Sequence, residues 1–431
     1  MSIVANTIEI RPVSRPIDAV VRLPGSKSYT NRALIVAALA VGQSILKGAL
    51  DSDDTRYMLA ALQSLGIAAR RHPDDSSIHV EGAAGQIRAQ HGDLFIGNAG
   101  TAARFLTALV ALGTGTYRID GIARMHERPI GPLLGALRQL GVSAHSERDN
   151  DCPPIQIISH GISGGTVNID GGVSSQFISA LMLIGPCTLR GIELNIVGDL
   201  VSKPYIDLSI AIMSSFEVSV ENEDYRRIVI PGDQNYRGRS YAIEPDASSA
   251  SYFLAAAAVT GGRVRIEALG RKSVQGDLGL VSILERMGCA VTWGDDYVEL
   301  KGPSSLAGID IDMGGLSDVA QTLAAIAPFA NGAVKIRGVG HIRNKETDRV
   351  TAVTNELRRL GASVVERPDG WDISPSVLSG AVVETYDDHR MAMSFAVTGL
   401  KTRGIQIANP SCVAKTFPDF FSRFAAATGD R

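Results

Sequence analysis

Little in this chain favours a redox, metal or membrane protein. The 431 residues include only four cysteines, Cys152, Cys187, Cys289 and Cys412. They are scattered and form no C-x-x-C pair, which fits a reducing compartment and argues against structural zinc. Aromatic residues make up 5% of the chain, and apolar stretches such as Ala33–Val41 fall well short of the ~20 residues a membrane span needs. Met1–Arg15 lacks the apolar core of a secretory signal, so a cytoplasmic protein is expected. The formal net charge of −3 excludes nucleic-acid binding by bulk charge, and any anion site must be a local concentration of Lys and Arg. Pro24-Gly25-Ser26-Lys27-Ser28 fails as a phosphate-binding P-loop because Ser26 interrupts it and the distant glycine position holds Val20. Gly113-Thr114-Gly115 fails as a dinucleotide loop because Arg118 stands at the third glycine position. There is no Ser-His-Asp set, and the Asp388-His389 pair has no second His or Cys at metal-ligand spacing. No cofactor and no metal are expected.

What the chain does have is a repeat. Small or acidic residues opening an apolar helical run recur at Ser28, Thr101, Ser175, Ser248, Asp318 and Asp388, at separations of 73, 74, 73, 70 and 70 residues. A second helix follows in each copy and ends before a β-rich run, at Leu65-Gly66, Leu140-Gly141, Phe216-Glu217, Met287-Gly288, Leu360-Gly361 and Thr428-Gly429. Gly past a helix takes the left-handed cap at no steric cost, so Glu217 in copy three either strains its backbone by about 1 kcal/mol or forces a different cap. A fixed period of this size marks stacked supersecondary units. Each reads as strand, helix, strand, helix, strand, strand. Ile3–Leu23 reads as strands broken by Pro12 and Pro16, Gly232–Glu244 as an exposed connection, and the main boundary falls near Glu244-Pro245.

Helix starts leave backbone N–H groups free and attract anions. Arg128, Lys203, Lys345 and Lys415 each read as beginning a second helix, where a cation opposes the helix dipole and makes sense only with an anion between. Collected by register, the copies offer Lys27, Arg32, Arg128, Lys345, Arg349, Arg390 and Lys415, with Asp318 and Glu346 as titratable carboxylates. Copy four lacks such cations and reads as structural, as does the acidic cap Asp51–Asp54. Many cations with few nucleophiles suit small, multiply anionic substrates and catalysis by positioning, charge stabilisation and proton transfer.

The segments Leu23–Ser28, Gly97–Arg104, Glu127–Gly131, Ser174–Phe177, Lys345–Arg349, Asp388–Met393 and Ala414–Asp419 resemble those of the enolpyruvyl transferases, in the branch acting on shikimate 3-phosphate. The likeness covers essentially the whole chain. It implies an α/β fold of two domains, each of three βαβαββ units with pseudo-threefold symmetry (an inside-out barrel). Residues 25–243 would form the N-terminal, shikimate 3-phosphate domain. Residues 1–24 and 244–431 would form the C-terminal, phosphoenolpyruvate domain. Helix starts from both would face one cleft that closes on substrate. The implied reaction transfers the enolpyruvyl group of phosphoenolpyruvate to the 5-hydroxyl of shikimate 3-phosphate through a tetrahedral intermediate, releasing phosphate.

By position, the resemblance assigns Lys27, Ser28, Arg32, Ser174, Ser175 and Gln176 to shikimate 3-phosphate, together with Ser202, Tyr205, Asp318, His341 and Lys345. It assigns Lys27, Gly100, Arg128, Gln176, Arg349, Arg390 and Lys415 to phosphoenolpyruvate. Asp318 would take the hydroxyl proton, Glu346 would protonate the methylene carbon, and Lys27 would stand near both substrates. Close approach at Gly100 implies glyphosate inhibition competitive with phosphoenolpyruvate. His341 stands where the family commonly has Asn, and Phe105 where it commonly has Pro. The resemblance implies a monomer without nucleic-acid or membrane partners. Rivals are the sister enzyme acting on UDP-N-acetylglucosamine, disfavoured because residues 121–127 hold no Cys, and a non-catalytic anion-binding repeat scaffold.

Overall fold

The structure, a computed structural model, describes residues 7–429. It divides into two units, one of Gly25–Glu244 and one of the chain up to Pro24 together with that from Pro245 onward. The first holds α1 (Lys27–Leu39), α2 (Asp53–Ser64), α3 (Gly100–Val110), α4 (Gly131–Gln139), α5 (Ser175–Ile184) and α6 (Pro204–Ser215). The second holds α7 (Ala247–Thr260), α8 (Gly279–Arg286), α9 (Ala320–Ile326), α10 (Arg349–Arg359), α11 (His389–Gly399) and α12 (Phe420–Thr428).

The odd-numbered helices open the six copies and are the core. Every residue of α3, α9 and α11 is buried, and α1 and α7 are buried along nearly their whole lengths. Helices apolar on all sides persist only where protein surrounds them. Within one unit α1, α3 and α5 pack on one another; within the other, α7, α9 and α11 do the same. Each trio therefore forms the axis of its unit. The even helices are half-buried and lie over the sheets.

In copy two, His91–Phe95 runs parallel to Thr114–Asp120, which pairs antiparallel with Ile155–His160, and Ser143–Ser146 lies outside. Copies three and five repeat this order. Parallel neighbours need a crossover, and the buried helix supplies it.

Pairing departs from chain order at three places. Ser240–Ala242 runs parallel to Gln43–Lys47 and so opens the sheet of copy one. The segment expected to be an exposed connection is thus built into the fold: Tyr236 is buried, and its hydroxyl donates to the Leu183 carbonyl at 2.9 Å. Asp18–Val21 runs parallel to Arg263–Glu267 and opens copy four. Thr7–Ile10 completes the shortened copy six by pairing antiparallel with Ile405–Ala408. The strand expectation at residues 3–6 lies outside the described residues. Glu244 falls with Gly25–Glu244, because its carbonyl accepts from Ser26 N at 2.8 Å.

The helix-to-strand junctions share one geometry. Gly66, Gly141, Gly288 and Gly361 have φ of 81°, 85°, 104° and 90°, and Glu217 has φ 69°. At this last junction Glu217 N donates to Ser214 O and Val218 N to Met213 O, both at 3.0 Å, the bonding that the glycine junctions also make. Copy three therefore accepts strain to keep the cap. Glu217→Gly is expected to stabilise the protein by about 1 kcal/mol. An unchanged or lower urea midpoint would contradict this.

Candidate active site

Each unit carries its own group of the expected residues. In Gly25–Glu244, Ser26 rather than Ser28 caps α1, accepting from Tyr29 N, which places Lys27 in the first turn. Lys27 Nζ lies 3.7 Å from Asp54, a buried carboxylate of the segment that had read as a purely structural cap. Ser174 caps α5, with Ser175 buried behind it, and Gln176 Nε2 donates to Thr101 Oγ1 at 3.3 Å. Buried Ser202, at φ 55°, stands ahead of Pro204 in the first turn of α6.

Arg32 is committed to the protein. It is buried, and its Nε donates to Ser209 Oγ at 2.7 Å and Nη1 to the Ser28 carbonyl at 3.1 Å. Nη2 reaches Ser179 Oγ and the Tyr205 carbonyl, both at 3.2 Å. The rings of Phe105 and Tyr205 lie 5.2 and 5.8 Å from the guanidinium carbon. Burial brings Arg32 down to about 10, against smaller upward effects of Tyr205 and Tyr29. Phe105 is thus a wall of the Arg32 pocket.

Arg128 is buried and donates through Nη1 to the Asn98 carbonyl and side-chain oxygen at 2.9 and 3.0 Å. Gly100 sits so close that a β-carbon there would come 2.3 Å from Arg128 Nη2.

The other unit gathers Asp318, Glu346, Arg349, Arg390 and Lys415 into one network. Arg349, with a side chain 1% exposed, donates through Nε to Asp388 Oδ2 at 2.8 Å, through Nη1 to Asp318 Oδ1 at 3.3 Å and through Nη2 to Glu346 Oε2 at 2.7 Å. Arg390 Nη2 reaches the other Asp318 oxygen at 2.7 Å, while Nη1 reaches Tyr252 OH at 3.3 Å. Lys415 Nζ lies 3.3 Å from the other Glu346 oxygen. Burial pulls Arg349 down, but Asp388, Glu346 and Asp318 outweigh it, so its affinity for its proton ends above the ordinary value.

Asp318 is not a helix cap. The helix begins at Ala320 with no side-chain cap bond, and the carboxylate turns to the two arginines instead. Asp388 does cap, accepting from Arg390 N at 2.8 Å while it holds Arg349. In the sequence it stood out as a repeat marker and as half of an Asp-His pair set aside as a metal site, not as a partner of Arg349. Copy four is not inert either: Tyr252 belongs to it, as does buried Asp277, which bonds Ser248. Asp277 is pushed up to about 6, by burial and then by the charge of Asp318. His389 is buried on α11 with Nδ1 3.5 Å from Asp388.

The register of four second-helix cations needs correction. Arg128, Lys345 and Lys415 stand at the ends of short 3₁₀ helices, Ala123–Glu127, Gly340–Asn344 and Pro410–Lys415, ahead of α-helices that start at Gly131, Arg349 and Phe420. For these three the helix-dipole argument therefore does not apply; a recurring 3₁₀ segment presents the cation. Pro129, which by sequence reads as a first-turn proline of copy two's second helix, precedes α4, which starts at Gly131. Lys203 alone does begin a second helix, directly ahead of Pro204 in α6, but its side chain is exposed over the Tyr225 ring, 5.4 Å from its centroid.

His341, on one of these turns, is lowered to about 4 by burial, then by Lys345, with Asp318 opposing and Arg349 adding to the fall. The unfolded chain, titrating near 6.5, takes up the proton first, so stability falls as pH drops from about 6.5 to about 4. His341→Asn is expected to flatten the melting temperature across that window. A variant with the parent's full acid slope would remove His341 as its source.

Among the described residues no group of three or more His, Cys, Asp or Glu could hold a metal ion, and no helix is long and apolar enough to cross a membrane. A sequence profile of EPSP synthase (3-phosphoshikimate 1-carboxyvinyltransferase) matches residues 12–424. The 3-phosphoshikimate 1-carboxyvinyltransferase of Trichormus variabilis is 50% identical over 424 residues, covering 98% of this chain and 100% of the relative. That of Nostoc sp. is 51% identical over 419 residues, covering 97% and 99%. The solved EPSP synthase of Acinetobacter baumannii superposes with a TM-score of 0.82 at 25% identity, covering 97% of each chain. The enolpyruvyl transferase NikO of Streptomyces tendae shares the fold, with a TM-score of 0.78 at 18% identity over 98% of this chain and 97% of that one. Matched along nearly its whole length, and with the carboxylate–guanidinium network in place, the chain belongs to the EPSP synthase family.

Proposed function

We infer that the chain transfers the enolpyruvyl group of phosphoenolpyruvate to the 5-hydroxyl of shikimate 3-phosphate, in the shikimate pathway. The observation that carries the chemistry is Arg349 bridging Asp318 and Glu346, two carboxylates on one guanidinium. Addition followed by elimination needs one group at the nucleophile and another at the alkene carbon.

Asp318 takes the proton of the 5-hydroxyl as its oxygen bonds to C2 of phosphoenolpyruvate, and Glu346 delivers a proton to C3, which becomes a methyl group. In the second half Glu346 removes a proton from that methyl, the C2–phosphate bond breaks and Asp318 returns its proton to the departing phosphate. Lys27, Arg128, Arg349, Arg390 and Lys415 hold phosphoenolpyruvate, with Gly100 and Gln176 beside it. Lys27, Ser28, Arg32, Ser174, Ser175 and Gln176 hold shikimate 3-phosphate, with Ser202, Tyr205, His341 and Lys345. Arg32 acts largely by anchoring Ser28 and Tyr205 through their carbonyls.

The charge pairing supports this scheme. Arg349 and Lys415 both contact Glu346. An anion that competes for those cations takes charge stabilisation from the carboxylate and favours its protonated form, the form that donates. The reaction runs without a cofactor in this scheme, in a cytoplasmic monomer.

Gly100→Ala forces Arg128 to move and is expected to raise KM for phosphoenolpyruvate about tenfold with a smaller change in kcat. Competitive inhibition by glyphosate should weaken in parallel. Unchanged KM and unchanged sensitivity would contradict the steric reading.

The deciding assay is phosphate release from phosphoenolpyruvate, with shikimate 3-phosphate or UDP-N-acetylglucosamine as acceptor and no added metal. Release with shikimate 3-phosphate alone is expected. Release only with the sugar nucleotide, or with neither acceptor, would overturn the assignment.

A further inference from the structure

Apart from every residue assigned to the two substrates, the outward face of the copy-four sheet carries a polar recess of about 350 Å³, within the size range of small-ligand sites. The strand register builds it. Arg265 pairs opposite Glu299 and Tyr297 opposite Glu267, so Arg265 and Tyr297 are diagonal neighbours on one face. The Arg265 guanidinium carbon lies 3.6 Å from the Tyr297 ring centroid, and its buried Nε has no hydrogen-bond partner. Val21 pairs with Ile266, which brings Arg22 beside Glu267, Nε to Oε2 at 2.5 Å. Asp296 is an exposed carboxylate at the same recess, and Leu23 and Pro245 give it apolar walls.

Two guanidiniums face two carboxylates, so a ligand of one sign gains from half the lining and is repelled by the other half. A stacked guanidinium still presents an edge fitted to a carboxylate. Asp296 suits an ammonium group, and the Tyr297 ring with Leu23 and Pro245 suits an apolar side chain. The recess also touches both chain crossings. Arg22 and Leu23 immediately precede Pro24, where one unit ends, and Pro245 is the first residue after the return. Asp246 N donates to the Pro24 carbonyl at 2.9 Å and ties the two segments together.

We propose that this recess is a regulatory site for a small zwitterion, an α-amino acid with an apolar side chain. The test titrates the full-length protein calorimetrically with L-leucine and L-methionine, and with N-acetyl-L-leucine and L-leucinamide, which each lack one charge. It repeats the titration on Arg265→Gln and Asp296→Asn, whose melting curves and basal turnover report an intact fold. The expected result is saturable binding that weakens roughly tenfold or more with either blocked derivative and in either variant. Turnover of phosphoenolpyruvate should change by a factor of about five or more on saturation, an effect absent from Arg265→Gln. No saturable binding up to about 10 mM overturns the proposal. So does binding indifferent to both variants, or binding that leaves turnover unchanged.

Discussion

Asp318→Asn should still bind both substrates yet lose turnover by roughly 10²- to 10⁴-fold, the range for removing a positioned proton acceptor. The substitution is nearly isosteric and leaves one oxygen to accept from Arg349 or Arg390, which now reach it at 3.3 and 2.7 Å. It also removes one negative charge from a cluster that holds three carboxylates, Asp318, Glu346 and Asp388, against three cations, Arg349, Arg390 and Lys415. The surplus positive charge favours the anionic substrate. KM for phosphoenolpyruvate is therefore expected to stay level or fall while kcat collapses. That split separates loss of chemistry from loss of binding. A fall in kcat under tenfold would take the proton-accepting role from Asp318.

Arg349→Ala is expected to cost on the order of 3–5 kcal/mol of stability in addition to activity, because removing one partner of a buried ion pair strands the other. Here one guanidinium serves three carboxylates, two of them almost wholly buried. Arg349→Lys should fall between parent and Ala, since a compact ammonium cannot span three acceptors that a planar fork reaches. Urea midpoints of the three proteins measure this. A loss below about 1 kcal/mol for Ala would mean that the network does not depend on Arg349.

The repeat was legible because its signals are local. A polar start followed by an apolar run, and a Leu-Gly or Met-Gly stop, fix each helix within a few residues, and α1, α3, α5, α7, α9 and α11 all begin within two residues of their expected starts. The exchange of opening strands was not legible, because Ser240–Ala242 and Asp18–Val21 carry no mark naming partners some two hundred residues away. The cations of the site and the carboxylates Asp318 and Glu346 could be read from the chain, with the roles of Asp318 and Glu346 implied by resemblance, whereas the part of Asp388 in holding Arg349 could not. That they neutralise one another could not, since pairing depends on side-chain direction. Arg32 shows the same limit: its place on α1 could be read, but Ser179 and Ser209, which hold it, lie in other copies. Tyr252 gave no signal at all, being one aromatic in an apolar helix.

The strand Thr7–Ile10 has a consequence for how the protein is made. Gly25–Glu244 is one unbroken stretch and can complete its core while later residues are still being synthesised. The other unit cannot. Thr7 meets Gln406, 399 positions further along. At ~5–20 residues per second, the first strand waits roughly 20–80 s for its partner to leave the ribosome. Asp18–Val21 waits less long, since Arg263 follows Asp18 by 245 positions. The early-made strands therefore spend much of the period of synthesis as unpaired edges that chaperones can hold and other chains can capture. Vectorial synthesis thus orders assembly, the inserted unit first and the enclosing one last.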